Sequence, residues 1–229
     1  MFRGCESFDR PLDAWDVSSV TNMYSMFLGC ESFDQPLDAW DVSSVTNMIH
    51  MFRGATTFNQ PLGSWNTESV SNTKYMFHEA ASFDQPIEQW DVSKVTDMSY
   101  MFHSAVACNQ PLEGWDVSSV TNMNYLFENA QSFNQPLNDW DVSNVQTMIS
   151  VFAVTPLFNQ PLSQWNVSSV VNMTYMFYLA SAFDQDISNW CVQGVTSEPS
   201  LFNLDGLLSP EQYPLWGECP GCIENFELF

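Results

Sequence analysis

Phe33–Phe52 reads FDQPLDAWDVSSVTNMIHMF, and this stretch decides the fold because the chain keeps rewriting it. The preceding copy, Phe8–Phe27, differs only at Arg10, Tyr24 and Ser25. Copies recur every 25 residues without insertion or deletion, as the column Trp15, Trp40, Trp65, Trp90, Trp115, Trp140, Trp165 and Trp190 shows. A second column runs from Phe2 through Phe27 and Phe52 to Phe202. A fixed period in the range of about 20–50 residues marks a stacked array in which each unit buries its apolar face only against its neighbours.

Within one unit two spacings alternate. Trp40 and Val42 flank Asp41 with the period of two expected of a short strand, Trp and Val inward and Asp outward. Met48, Met51, Phe52 and Ala55 then fall at i, i+3, i+4 and i+7, which predicts one face of a short helix started by Ser43, Ser44 or Thr46. Pro36 and its equivalents cannot donate to a ladder, so the strand is placed after them. The neighbouring column Gln35, Gln60, Gln85, Gln110, Gln135, Gln160 and Gln185 reads as amides bonding along the array axis.

The expected architecture is an α/β repeat solenoid. It is leucine-rich-repeat-like and right-handed, with short parallel strands on a concave face and short helices on the convex face. It spans residues 1–202 in about eight repeats, and residues 203–229 form a C-terminal cap. Met1 already occupies the column of Met26 and Met51, which predicts an array without an N-terminal cap and a piece of a longer protein.

The composition sets limits on function. A content of 45% hydrophobic and 15% aromatic residues supplies a continuous core, which excludes disorder despite the charge. Twenty-seven Asp and Glu against five Lys and Arg give a net charge of −22, which disfavours nucleic acid and anionic lipid and suits cations or a basic partner. The same acidity also serves simply to keep an array soluble. No apolar run is long enough to insert into a membrane.

The phrase F-x-G-C-x-S-F followed by P-L-x-x-W-D-V-S-S-V resembles the BspA-like leucine-rich repeats, and among them the 25-residue subtype written FNQPLxxWDVSNVTNMxxMF. That string stands almost verbatim at Phe33–Phe52 and again at Phe133–Asn144. The resemblance covers residues 1 to about 202. It implies a leucine-rich-repeat-like solenoid that is secreted or displayed at a cell surface, associated with adhesion, and without catalytic residues to carry over.

The candidate chemistry lies in columns. Asp16, Asp41, Asn66, Asp91, Asp116, Asp141 and Asn166 form a row on the expected concave face, with Glu68 and Gln89 beside it. One reading is weak Ca²⁺ binding or recognition of a cationic partner; the reading we favour is that each acid bonds the backbone two residues on as an Asx turn. The Trp column sits where an inward residue is required, so it reads as core rather than as a sugar-stacking platform. His78 and His103 share a column with Arg3 and Arg53, read as variable surface rather than metal ligands.

Cys5 and Cys30 occupy the same position in consecutive units, close enough for a disulfide or for two small buried thiols. Cys219 and Cys222 form a C-x-x-C read as a staple of the cap, with Cys191 nearby in sequence. No catalytic set, metal site or cofactor is expected, because every Ser and Asp is a repeat consensus residue. The expected function is binding or adhesion to a protein or glycan partner through the acidic face; the rival is a structural spacer with no ligand of its own.

Overall fold

The computed structural model describes residues 1–220. Its 25-residue units lie one on another, joined by backbone hydrogen bonds between residues about 25 apart. The amides of Met48, His50, Phe52 and Gly54 donate to the carbonyls of Asn72, Lys74, Met76 and His78 at 3.1, 3.0, 2.9 and 2.8 Å. Amides between them fold back within the unit instead: Met51 donates to Met48 at 3.1 Å, Arg53 to His50 at 3.3 Å and Ala55 to Phe52 at 3.0 Å. Alternate amides therefore point along the array and around the turn.

This pattern changes the reading of Met48–Ala55. Among the described residues there is no α-helix, and strand pairing is confined to isolated parallel bridges such as Asn22 to Asn47 and Asn47 to Asn72. Where a helix was expected, β-turns follow one another: 48–51 and 52–55 each close through an i+3 amide. Their third residues, His50 and Gly54, have φ of +57° and +70°, the mark of type II turns. Two four-residue turns in tandem place apolar residues at i, i+3, i+4 and i+7, the same spacing a helix would give. The strand expected over Trp40–Val42 is likewise absent, and the bridges fall five or more residues later, at Asn47 and its equivalents.

The inward positions form one core running the length of the array. Phe27, Phe52, Phe77 and Phe102 stack with centroids 5.5, 5.6 and 5.8 Å apart, and Phe58 lies 4.2 Å from Phe52 within its unit. Trp40, Val42 and Val45 are buried while Asp41 is exposed, so the orientation of W-D-V is that of its sequence alternation although its backbone is not a strand. Each buried indole has a partner: Trp40, Trp65 and Trp90 donate from Nε1 to the carbonyls of Leu12, Leu37 and Leu62 in the unit before, at 3.0, 2.9 and 3.0 Å.

A second ladder runs along Asp9, Asp34, Asn59, Asp84, Asn109, Asn134 and Asn159. The side-chain oxygen of Asn109 accepts from the backbone amide of Asn134 at 2.9 Å and from Nε2 of Gln135 at 3.1 Å, and the other members repeat the first of these bonds. The Gln column thus bonds along the axis through these Asn and Asp side chains, not from Gln to Gln.

At the C-terminal end the pairing continues into 200–204, where Phe177 and Leu179 donate to Phe202 and Leu204 at 2.8 and 2.9 Å. A short 3₁₀ turn, Pro210–Gln212, follows. Gln212 imitates the ladder of the repeat: its Nε2 bonds Asp184 Oδ1 at 3.0 Å while its carbonyl accepts from Ile187 at 3.1 Å. Tyr213 and Trp216 pack over the end of the core.

Candidate interaction surface

The row of Asp and Asn side chains from Asp16 to Asn166 stands exposed along the array, one per unit, each fixed by its own turn. Asp41 Oδ1 accepts from the Ser43 amide at 3.0 Å and from the Ser43 hydroxyl at 2.6 Å. Asp16, Asp91 and Asp116 hold Ser18, Ser93 and Ser118 in the same way. Asp141 accepts the Ser143 amide at 3.0 Å, Asn66 the Glu68 amide at 3.1 Å and Asn166 the Ser168 amide at 3.2 Å. The hydroxyl and then the amide of the serine hold the carboxyls of Asp16, Asp41, Asp91 and Asp141 below the usual carboxylate range. One oxygen of each carboxylate is thus committed to its turn and the other faces solvent. Glu68 and Gln89 are exposed beside the row. No cluster of three or more His, Cys, Asp or Glu suited to a metal ion occurs among the described residues.

Of the two readings open for Cys5 and Cys30, the disulfide is not formed. Cys5 and Cys30 are free: Cys5 is exposed, and Cys30 is buried with its Sγ donating to the carbonyl of Phe2 at 3.0 Å. Burial pushes the Cys30 thiol up to about 11, so it is protonated and inert at neutral pH. The disulfide joins Cys191 to Cys219, with Cα atoms 4.0 Å apart, and ties the cap to the last full unit. Cys191 takes the place of the row's acid in that unit, which puts its thiol outward and within reach of the cap. Cys222, the other half of the expected staple, lies outside the described residues.

A column of tyrosines was not singled out from the sequence, and beside it His78, read from the sequence as variable surface, is buried. Tyr75, Tyr100 and Tyr125 stack at 4.4 Å intervals with His50 4.5 Å below them, and beside them His78 and His103 stack at 4.5 Å. The Arg53 guanidinium lies 5.4 Å from the Tyr75 ring centroid and the Lys74 ammonium 5.5 Å from it, both within cation–π range. The signal was available: an aromatic residue recurs every 25 residues at 50, 75, 100 and 125, and returns at 175 after Ser150. Read as one face of a helix, that column carried no meaning; as the third residue of a turn, it stands outward and meets its own copy in the next unit.

A family model described as "Mycoplasma protein of unknown function, DUF285" matches the chain twice in tandem, over residues 1–115 and 106–206. Comparison with curated proteins and with solved structures finds no match for this chain.

Proposed function

Because the chain belongs to the family described as Mycoplasma protein of unknown function, DUF285, and is a tandem-repeat protein, we propose that it is a non-enzymatic binding module displayed at a cell surface or secreted. The array is proposed to be a right-handed solenoid of the BspA-like, 25-residue kind, with tandem turns taking the place of the expected helices. The observation that carries the proposal is the exposed acid row, in which Asp41, Asp91 and Asp116 repeat one geometry and each leave one carboxylate oxygen free. A rigid, evenly spaced set of acceptors suits a protein or glycan partner with a repeated cationic or hydroxyl pattern, and gains affinity from many modest contacts. The Cys191–Cys219 disulfide supports an oxidising, extracellular setting. No helix among the described residues is long and apolar enough to cross a membrane.

The spacer reading is favoured by the regularity of the same row, since Asx turns alone account for its Asp–Ser pairs. Binding to an array of glycans and matrix proteins separates the two. The binding reading predicts retained partners that are lost when Asp41, Asp91, Asp116 and Asp141 are changed together to Asn, which keeps the turns. Partners bound equally by that variant would remove the acid row from the account, and no binding at all would leave the spacer.

A further inference from the structure

This chain carries only five Lys and Arg, and three of them gather at one place. Arg3, Arg53 and Lys74 all raise the local potential enough to disfavour protonation of His50, after burial, which is the larger cause. Lys74 is paired with Asp97 at 3.6 Å, but among the described residues neither guanidinium forms an ion pair. In a protein with 27 Asp and Glu, two guanidiniums without an ion pair on one face keep their hydrogen-bond donors for an outside acceptor.

An open trough of about 640 Å³ crosses five units here, with Arg3 and Arg53 among its lining. Its depth comes from Gly29 and Gly54, which take φ of +69° and +70° in a column where later units carry Glu79 and Ser104. Glu31 and Glu79 also line it, so positive potential is confined to the neighbourhood of the guanidiniums.

We propose that this trough binds an anionic polysaccharide, with Arg3 and Arg53 each holding an acidic group of the chain. The two arginines share a column two units apart, roughly 10 Å at the spacing of parallel-paired backbones. That distance matches the advance of two sugars in an extended chain bearing an acid on every second residue. An extended peptide repeats its same-face side chains at about 7 Å, out of step with the pair. The guanidinium fork suits carboxylate or sulfate, and the glycine floor lets a flat ring approach the backbone. The site is separate from the acid row and stands whether or not that row binds anything.

The test is calorimetry at low and moderate salt with hyaluronan oligosaccharides, whose carboxylates fall on alternate sugars. Poly-glutamate, neutral chitin oligosaccharides and sodium sulfate serve as comparison ligands. Hyaluronan is expected to bind, with Arg53→Gln or Arg3→Gln weakening it about tenfold and Glu79→Gln tightening it. Arg10→Gln and Lys94→Gln, at exposed cations elsewhere, are expected to change nothing. Equal loss in those two controls, a preference for poly-glutamate, binding of sulfate alone, or no binding to hyaluronan would each overturn the proposal. Unchanged melting temperatures of the arginine variants exclude a folding effect.

Discussion

Nε1 of Trp90 donates to the carbonyl of Leu62, 28 residues earlier, at 3.0 Å, and that same carbonyl accepts the amide of Trp65 at 3.1 Å. One oxygen thus closes a turn in its own unit and fixes the register of the next. Trp90→Phe keeps a ring against Trp65 and Phe77 but loses the inter-unit bond. Because Leu62 O retains one partner, the loss is expected to be about 1–2 kcal/mol, against about 3–5 kcal/mol for Trp90→Ala, read from urea unfolding. Equal losses in the two variants would mean that the indole bond carries nothing.

The tandem turns place residues with side chains in left-handed conformations. Val154 sits at φ +55°, in the column occupied by Gly29 and Gly54, and a β-branched side chain is strained there. Val154→Gly is expected to stabilise the protein by about 0.5–1 kcal/mol, and Gly54→Val to destabilise it by more than about 1 kcal/mol. A helix through these positions would reverse the sign of both, so thermal melting of the two variants discriminates.

The Asn–Gln ladder makes a residue-type prediction. Asn109→Ala removes the acceptor for the Asn134 amide and for Gln135 Nε2, at an expected cost of about 1–3 kcal/mol. Asn109→Asp is expected to be nearly neutral, because Asp84 already plays the same part toward Asn109 and Gln110. Denaturant midpoints of the two variants check this.

Much of this was legible in the sequence. The inward set Met48, Met51, Phe52, Ala55, Phe58 and Leu62 is buried as the period implies, and the D-x-S phrase foretold the Asx turn that Asp41 makes with Ser43. The backbone was not legible, because a helix and a run of four-residue turns share one apolar spacing. The glycines at 4, 29 and 54 were the distinguishing signal, since glycine at one place in three consecutive units argues for a positive φ and against a helix interior. The trough followed the same fate: only when Gly29 and Gly54 are turn residues does the Arg3 and Arg53 column become a wall beside a floor.

His78 gives the array an acid sensitivity of known sign. Burial, and then the stacked His103, push its pKa down from 6.5 to about 4. The folded protein therefore binds fewer protons at this site than the unfolded chain between those values, so stability falls as pH drops through that window. The row carboxylates, held low by their serines, add their own loss only further down, as pH falls below about 3.8. In His78→Phe the decline between pH 6.5 and about 4 is expected to flatten while the steeper acid limb remains, as followed by unfolding across a pH series.

The most direct measurement is NMR detection of scalar couplings across backbone hydrogen bonds in the ¹⁵N,¹³C-labelled protein. The account predicts that the Phe52 amide nitrogen couples to the carbonyl carbon of Met76, its partner at 2.9 Å, and that the Ala55 nitrogen couples to Phe52. Coupling from Phe52 to the carbonyl of Met48 would instead report an α-helix, and with it the tandem turns, the glycine floor and the trough would all be withdrawn.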